Sequence, residues 1–546
     1  MKAKSLYVLI GFVVLLHDLE AQTNCGASTA VTTLDINNVS AGIFPGADMW
    51  WDLIGAPKYE VPKGSGINRL FAGSLWLGAM DGGGQILTAA QMFRHTPLNN
   101  NATDFFTGPG DSCDVSYCTQ YDRIWKINKQ EVIDFLNGQP ATIEMQQYPG
   151  NNSNGNILAP FVDANNDGLY NTGDGDYPSF DISGTIPDST DQLYGDQCLW
   201  FVFNDVCNIK TQTGSNMMGL EIQGKAFAFI SPNSTINNTT FYQYRIVNNS
   251  ALTLNNFYLG FWAGTPFGAN VRRGSHVGNN MAYVLDDYPF VPSSGSYPAA
   301  TGISLLQGPL ADPGDGIDND RDSIIDEPDE RCGISSYVVF ENANNQLMGN
   351  PANSADYYNY LKGINTSLCP CTNQPTPFMY PGTSDPDCPC NWEENGSAGD
   401  YFFLLSSGKF SMLPGQIQTI SYAVTWAVDS SAGNSLNTLF AAQDTVLNFF
   451  RNGYNLPVGL NEMQPEIKTY AYPNPFSIQT KIYFDNPSGE IFSLIVYDVF
   501  GKEIKVMNEL NNQPVILEKG DISPGLYFYN ISGQSGKKVS GKIIIQ

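Results

Sequence analysis

Short apolar runs alternate with glycine-, proline- and asparagine-containing turns along almost the whole chain, and this alternation limits the folds available to it. Segments with the 3.6-residue period of an amphipathic helix are scarce, and only residues 129–136 and 436–450 show one. The chain holds 53 Gly and 33 Pro, which interrupt helices and favour turns. We therefore predict a mainly β, multidomain protein of antiparallel β-sandwiches with few short helices.

Residues 470–546 show the alternation most regularly. Pro473 and Pro475 stand near the start, where they fix φ and remove backbone donors, so no helix is expected there. Six runs with strand chemistry follow, at residues 481–484, 492–497, 503–506, 515–517, 526–531 and 542–545. Short strands at this spacing predict a small immunoglobulin-like β-sandwich.

The motifs of this segment resemble the type A C-terminal sorting domain of the type IX secretion system of Bacteroidota. The resemblance rests on residues in its opening, its turns and its last strand, namely Pro473, Asn474, Pro475, Gly501, Gly525, Tyr527 and Lys542. In that family the domain is an export signal, which the outer-membrane translocon recognises and a sorting peptidase removes. The resemblance implies a secreted or cell-surface protein that is exported through the periplasm and the outer membrane. An ordinary fibronectin-like module is the alternative.

Residues 1–21 have the order of a secretory signal peptide. Lys2 and Lys4 precede an apolar run over residues 6–16, and Ala21 precedes Gln22. The run is shorter than a membrane-spanning helix, and no later apolar stretch reaches about 18 residues. We therefore expect no transmembrane segment in the mature protein.

The remaining chain divides by the order of its motifs. We expect an N-terminal β-rich region over residues 22–155, a central β-sandwich with inserted aspartate loops over residues 156–455, and a linker over residues 456–469. Within the central region, residues 239–248 alternate so that Tyr242, Tyr244 and Ile246 share one face of a strand. The order of motifs resembles a class of uncharacterised secreted Bacteroidota proteins with the same sorting domain, which implies an architecture but no activity.

The charge of the chain disfavours some partners. Its 27 Lys+Arg and 53 Asp+Glu give a formal net charge of −26. A surface this acidic does not neutralise phosphates, so binding to nucleic acid or to an anionic membrane is disfavoured. Divalent cations are its natural partners, and a solvated acidic surface without bound ions is the alternative.

Disulfides are the simplest explanation for the ten cysteines, because an exported protein matures in an oxidising compartment. The candidate pairs between neighbours are Cys113 with Cys118 and Cys198 with Cys207, which leaves Cys25 and Cys332 as long-range partners. Two Cys-Pro-Cys sequences, at residues 369–371 and 388–390, form a separate group. Zinc held by four thiolates is the alternative for that group.

The best local motif for a bound cation lies at residues 163–174. Oxygen-bearing side chains stand at loop positions 1, 3, 5, 9 and 12 and a backbone carbonyl at position 7, and the residues are Asp163, Asn165, Asp167, Asn171, Asp174 and Leu169. Gly168 at position 6 permits the tight turn that such a loop requires. The ligand set suits Ca²⁺ and resembles EF-hand and dockerin-type loops, although position 12 is Asp and not Glu. A plain acidic turn is the alternative.

A second aspartate-rich loop, residues 315–327, resembles the thrombospondin type 3-like calcium repeat. In that repeat alternate carboxylates converge on one ion, and the matching residues here are Asp318, Asp320, Asp322 and Asp326. Without a counter-ion these charges would repel one another strongly. Position 6 is Ser323 and not glycine, so the fit to an EF-hand-like loop is incomplete. A disordered acidic loop is the alternative.

No arrangement of residues typical of catalysis stands out. Beyond the predicted signal peptide the histidines are His95 and His276, and neither lies in a His-Glu-x-x-His motif or beside a Gly-x-Ser-x-Gly elbow. The sequence favours a calcium-stabilised structural or adhesion protein whose partner is a cell-surface glycan or protein. A secreted glycan-binding protein or glycoside hydrolase is the alternative, because two carboxylates suffice for glycoside hydrolysis. An aromatic-lined cleft with two carboxyl groups about 5 to 10 Å apart would favour that alternative, and smooth sandwich faces with ligands clustered only in loops would favour the first.

Overall fold

The computed structural model describes residues 25–93, 102–182, 191–265, 270–286, 298–343, 348–364, 367–429, 435–455, 469–484, 491–510, 514–533 and 538–546. The predicted signal peptide, residues 1–21, and nearly all of the predicted linker lie outside the described residues. The chain divides into two compact units, Met1–Leu456 and Pro457–Gln546.

Short strands and turns make up most of the first unit, which confirms the predicted mainly β fold. Its strands are β1 (Thr32–Leu34), β2 (Ser40–Ile43), β3 (Asp48–Met49), β4 (Tyr59–Glu60), β5 (Asn68–Leu70), β6 (Ala72–Met80), β7 (Ile86–Ala89), β8 (Phe106–Thr107), β9 (Trp125–Asn128), β10 (Phe161–Val162), β11 (Tyr177–Pro178), β12 (Gln197–Asn204), β13 (Leu220–Ala228), β14 (Thr239–Asn248), β15 (Leu254–Gly264), β16 (Asn270–His276), β17 (Met281–Asp286), β18 (Ala299–Gln307), β19 (Ile334–Glu341), β20 (Ser397–Ala398), β21 (Tyr401–Met412) and β22 (Ile417–Val428). Its α-helices are α1 (Val115–Cys118), α2 (Lys129–Leu136), α3 (Ile143–Gln146), α4 (Ser234–Asn237), α5 (Ser354–Leu361) and α6 (Ser435–Arg451).

Within the described residues, these strands build two 10-stranded antiparallel sheets. In the first sheet the order is β19-β21-β15-β6-β3-β2-β4-β5, with β1 beside β2 and β7 beside β6. In the second it is β20-β16-β17-β18-β22-β14-β13-β12-β8, with β9 beside β12. The hairpin β10-β11 stands apart from both sheets.

Strands from residues 22–155 and from residues 156–455 belong to the same sheets. β6 pairs with β15 in the first sheet, and β8 and β9 both pair with β12 in the second. The two regions expected from the sequence therefore share one compact unit and one core. Hydrophobic alternation marks each strand locally, whereas the partner of β6 lies far along the chain.

The core of the first unit lies between the two sheets, as the alternation of β14 illustrates. Tyr242, Tyr244 and Ile246 are fully buried in the inter-sheet cluster. Phe241 points to the other face of the strand, where it packs in a second cluster with Val446 of α6. The apolar side of α6 thus covers the outer face of the second sheet.

The helical periods correctly located α2 and α6, whereas α5 was not expected. Asn353 caps α5, because its side-chain oxygen accepts hydrogen bonds from the N–H groups of Ala355 and Asp356. Tyr357, Tyr358 and Leu361 of α5 are buried. Tyrosine favours strands by intrinsic propensity, so the helical period of the buried face of α5 was not recognised in the sequence.

The second unit contains β23 (Thr469–Tyr472), β24 (Gln479–Phe484), β25 (Phe492–Tyr497), β26 (Glu503–Leu510), β27 (Val515–Glu518), β28 (Gly525–Gly533) and β29 (Lys538–Ile545). Its described strands form a three-stranded sheet, β23-β24-β27, and a four-stranded sheet, β26-β25-β28-β29. Alternate residues of both sheets, including Ile482, Leu494, Leu517 and Ile531, form a single apolar core. This unit is the small sandwich that the sequence predicted.

Over the described ranges of both units, no helix has the length and apolar character needed to span a membrane.

Candidate functional site

The first aspartate loop connects β10 and β11. The Asp163 carboxylate accepts hydrogen bonds from the N–H groups of Asp167 (3.2 Å) and Gly168 (2.7 Å). The side-chain oxygen of Asn165 accepts from Asp167 N–H at 3.1 Å, and the Asp167 carboxylate accepts from Leu169 N–H at 2.8 Å. These bonds wrap the chain around the side chains at loop positions 1, 3 and 5.

The other predicted ligands of this loop lie at its far end. Asn171 precedes a 3₁₀ turn, Thr172–Asp174, and its side chain donates to the Asp174 carboxylate at 2.6 Å. Asp176, which is not one of the predicted ligands, is buried and accepts from the N–H groups of Ala164 and Asn171, both at 2.8 Å. Asp176 therefore closes the base of the loop.

The second aspartate loop, between β18 and β19, repeats the same hydrogen bonds position for position. The Asp318 carboxylate accepts from the N–H groups of Asp322 (3.1 Å) and Ser323 (3.0 Å). Asp320 accepts from Asp322 N–H at 3.1 Å, and Asp322 accepts from Ile324 N–H at 2.8 Å. Two segments that differ in sequence at most positions thus adopt one loop geometry.

Both loops also place positions 4 and 6 in the left-handed region. The φ values are 60° at Asn166 and 80° at Gly168 in the first loop, and 66° at Arg321 and 78° at Ser323 in the second. Ser323 therefore adopts the conformation that glycine adopts in the first loop. The departure from the EF-hand pattern at position 6 concerns the residue type and not the backbone.

The carboxylates of the second loop are crowded. One carboxylate oxygen from each of Asp318, Asp320 and Asp322 lies within 4.8 Å of the others, and Asp320 forms a second such group with Glu327 and Glu330. Burial raises the pKa of Asp320, and the charges of Asp322, Asp318 and Glu330 raise it further against a backbone hydrogen bond that lowers it. The loop therefore concentrates negative charge at Asp320.

Asp326, the fourth predicted ligand of the second loop, accepts hydrogen bonds from the start of the loop. Its two carboxylate oxygens accept from Gly316 N–H at 3.3 and 3.1 Å, and it belongs to neither crowded group of the described residues. Glu327 and Glu330, which sequence reasoning did not predict as ligands, form the second crowded group with Asp320. Their signal was the acidic run that follows Ile324 and Ile325.

The disulfides of the first unit differ from the pairings suggested by sequence proximity. Cys25 pairs with Cys118, and Cys113 pairs with Cys207. Cys198 and Cys332 are buried thiols, and burial raises the pKa of each to about 12. The suggested pairs Cys113–Cys118 and Cys198–Cys207 are not formed, because the fold brings residues more than 90 positions apart into contact.

The two Cys-Pro-Cys sequences are joined to each other. Cys369 pairs with Cys388 and Cys371 with Cys390, so the four sulfur atoms lie within 4.8 Å of one another. The disulfides use the thiolates that zinc would require. The two disulfides therefore fix the start of the loop that follows Cys390.

That loop forms one wall of a cleft of about 650 Å³. The cleft lies at the edge of the sandwich beside β19, where residues 377–380 hydrogen-bond both to Tyr337 of β19 and to Ser275 of β16. Its other walls come from the end of β19, from residues 379–380 and from Tyr401 at the start of β21. Residues 391–396 close it. Sequence reasoning did not find this cleft, whose lining comes from segments far apart in the chain.

Two arginines of β16 anchor two of the acidic residues of the cleft. The buried Arg273 guanidinium donates to Glu394 at 2.6 and 3.1 Å, and the Arg273 N–H donates to the other Glu394 oxygen at 2.6 Å. Arg273 also stacks on Tyr401, with 4.3 Å between its guanidinium carbon and the ring centroid. Arg272 pairs with Glu393 at 3.0 Å.

His276 has contacts typical of a structural residue. His276 ends β16 and its Nδ1 accepts from Asn279 N–H at 3.2 Å. Its ring packs against Phe440 of α6 at 4.5 Å between centroids, and burial lowers its pKa. His95 lies outside the described residues.

In the second unit, predicted sorting-signal residues from the start and from the end of the segment lie close together. The Asn474 side chain donates to the Lys542 carbonyl at 3.0 Å and accepts from Ile544 N–H at 2.8 Å. The segment with Pro473 and Pro475 thus lies along β29. Tyr527 donates to the Ser523 carbonyl at 2.8 Å. Gly501 has a φ of 80° in the turn after β25, and Gly525 begins β28.

Comparison with known proteins supports a role only for this second unit. Residues 470–546 match the family model of the secretion system C-terminal sorting domain, which confirms the resemblance drawn from the motifs. No curated protein sequence matches the chain.

Two solved structures share a distant likeness. A polysaccharide lyase is 10% identical, with a TM-score of 0.19, and the match covers 62% of this chain and 36% of that one. Dimeric latent PorU from Porphyromonas gingivalis is 11% identical, with a TM-score of 0.14, and the match covers 64% of this chain and 31% of that one. This chain therefore spans about a third of each solved chain, and similarities this weak support no argument about fold or function.

Proposed function

We propose that this type IX secretion cargo is a calcium-stabilised structural or adhesion protein of the cell surface or the medium. The sorting domain at residues 470–546 directs the chain out of the cell, so its working partners during export are the components of the type IX machinery. The role proposed for the rest of the chain is supported chiefly by one observation, the shared geometry of its two aspartate loops.

The donor atoms of both loops suit calcium. Carboxylate, amide and backbone carbonyl oxygens are the ligands that Ca²⁺ prefers, and zinc would instead favour nitrogen and sulfur. In the first loop the ion would be held by Asp163, Asn165, Asp167, Leu169, Asn171 and Asp174. In the second it would be held by Asp318, Asp320, Asp322 and Asp326, with Glu327 or Glu330 as a further carboxylate ligand beside Asp320.

Calcium in the second loop would stabilise more than the loop itself. Arg321, between two of the crowded aspartates, donates to the Ile334 carbonyl at 2.8 Å and stacks on Phe378 at 5.4 Å. Ile334 begins β19, and residue 378 belongs to the segment that leads into the cleft. An ion bound to Asp320 and Asp322 would therefore also hold Arg321 in position against Ile334 and Phe378.

A thermal melt of the full chain with and without calcium tests this proposal. Extracellular calcium loops have a Kd of about 10⁻³ to 10⁻⁴ M, so 10 mM CaCl₂ is expected to stabilise each site by about 1.4 to 2.7 kcal/mol. The expected result is a higher unfolding midpoint in CaCl₂ than in EDTA, and a smaller effect of MgCl₂. An unchanged midpoint would contradict the proposal.

Two variants locate the effect. A double substitution, Asp163→Asn and Asp318→Asn, is expected to remove most of the calcium-dependent shift, because it takes one charged ligand from each loop. Asp134→Asn is the matched control: Asp134 is exposed on α2, and its carboxylate accepts a hydrogen bond from the Gln130 side chain at 2.8 Å. A shift that survives the double substitution would place the calcium elsewhere.

A further inference from the structure

The cleft beside β19 has the size and lining of a ligand site. Its volume of about 650 Å³ falls within the range of small-molecule sites. Apolar and aromatic side chains of β19 and of residues 379–401 line it together with polar groups, and polar atoms make up the larger part of its exposed surface. The aromatic residues that line it are Phe340, Tyr380, Trp392 and Tyr401.

Tyr380 and Trp392 form an aromatic corner. Their ring centroids lie 5.3 Å apart and the rings meet edge to face, and both side chains are half-buried. Burial raises the pKa of Tyr380, and the Glu394 charge raises it further, so its hydroxyl remains protonated and can donate a hydrogen bond. Asn391 and Asn395, both exposed, offer amide donors and acceptors beside this corner.

Arginines neutralise most of the negative charge of the cleft. Two of its three carboxylates, those of Glu393 and Glu394, are paired with Arg272 and Arg273. The third belongs to Glu341, which is exposed at the end of β19. A polyanion is disfavoured by this lining and by the net charge of −26, and with two of the three carboxylates already paired the cleft offers a polycation a single carboxylate, that of Glu341.

The cleft is also held rigid before any ligand arrives. The disulfides Cys369–Cys388 and Cys371–Cys390 end directly before Asn391. Trp392 exchanges backbone hydrogen bonds with Gly382, at 2.9 and 3.2 Å. A site whose walls are fixed in advance loses less conformational entropy on binding, which favours affinity.

We infer that this cleft binds a neutral oligosaccharide. The C–H faces of a sugar ring pack on aromatic rings, here Tyr380 and Trp392, and its hydroxyl groups pair with amides and carboxylates, here Asn391, Asn395 and Glu341. This inference goes beyond the calcium-stabilised role and does not rest on it. It assigns the adhesive surface to residues that neither aspartate loop contains.

Calorimetric titration of the full chain with soluble oligosaccharides tests the inference. The probes are neutral gluco-, manno-, galacto- and xylo-oligosaccharides, with oligogalacturonate as the anionic comparison and oligolysine as the cationic one. We expect binding of at least one neutral series and no competition by either charged probe. Absence of binding by every neutral series, or displacement of the bound sugar by a charged probe, would overturn the inference.

Variants tie the binding to the cleft. Trp392→Ala is expected to weaken affinity about tenfold or more, because it removes an aromatic surface on which the sugar packs. Trp392 is half-buried, so the double variant Asn391→Ala with Asn395→Ala serves as the second test. Both amides are exposed, the fold is expected to persist, and the loss is expected to be about fivefold or more.

Phe500→Ala is the control, since Phe500 is 92% exposed in the second unit and far in sequence from the cleft. Sugar binding that is unchanged in both cleft variants would contradict the assignment. All titrations are run in CaCl₂, and the melts of the sugar-free protein report on calcium separately, so the two proposals can fail independently.

Discussion

Replacing Ser323 by glycine is expected to stabilise the second aspartate loop. Ser323 has a φ of 78°, in the region where a side chain with a Cβ costs about 1–2 kcal/mol. Glycine removes this cost, while the added freedom of the unfolded chain takes back about 0.4–1 kcal/mol. The expected net gain is about 0.5–1 kcal/mol. The hydrogen bond from its backbone N–H to Asp318 is retained, since it does not involve the side chain.

Gly168→Ser is the reciprocal substitution in the first loop. Gly168 has a φ of 80°, and a Cβ there would meet no atom within 4 Å, so the cost is conformational and not steric. This variant is expected to lose about 0.5–1 kcal/mol. Both substitutions keep every predicted oxygen ligand in place.

Scanning calorimetry in CaCl₂ measures both variants against the unchanged protein. In a unit this large, a change of this size moves the unfolding midpoint by roughly 1 °C, upwards for Ser323→Gly and downwards for Gly168→Ser. A lower midpoint for Ser323→Gly, or no effect of Gly168→Ser, would refute the conclusion that both loops share one backbone geometry.

In EDTA, the raised pKa of Asp320 predicts that its contribution to stability is present below its ordinary pKa of 3.8 and is lost as the pH rises through the higher folded-state value. Melts from about pH 4 to about pH 7 should show this decline, and Asp320→Asn should reduce it. Asn474→Ala removes two hydrogen bonds to the last strand, so we expect about 1–3 kcal/mol less stability in the second unit and less exported protein in culture medium. Cys198 and Cys332 should react with iodoacetamide only after denaturation, and rapid alkylation of the native protein would contradict their burial.

Features that depend on local periodicity could be predicted from the sequence. The alternation of Tyr242, Tyr244 and Ile246 identified β14 and its buried face, and the helical period identified α2 and α6. The six apolar runs of the second unit likewise correspond to observed strands. In each case the signal lies within one element, because burial on one face imposes the period directly on the chain.

Features that depend on contacts between distant residues could not be predicted in this way. The disulfide Cys25–Cys118 closes a sequence separation of 93, and nothing in the local pattern distinguishes it from a pair of neighbours. The pairing of β6 with β15 likewise joins residues that are far apart in the chain. Glu330 was missed for a related reason, because its buried carboxylate reaches Asn319 N–H across the loop and not along one strand.

The cross-links and the aspartate loops occur where the sheets give the chain least support. The connection between β18 and β19 contains the second aspartate loop, and the hairpin β10-β11, apart from both sheets, encloses the first. The connection between β19 and β21 contains both Cys-Pro-Cys disulfides. Long connections without a sheet of their own have high conformational freedom, which a covalent or ionic link reduces.

This placement explains why the loops and cysteines are not distributed evenly along the chain. Once outside the cell, a protein depends on slow unfolding to persist, and its least supported segments unfold first. A disulfide, or the calcium ion proposed for each aspartate loop, would raise the free-energy cost of local opening in these segments. In the segment that ends at Trp392 the two disulfides also fix the walls of the cleft, so the same covalent links would both stabilise the fold and prepare the proposed binding surface.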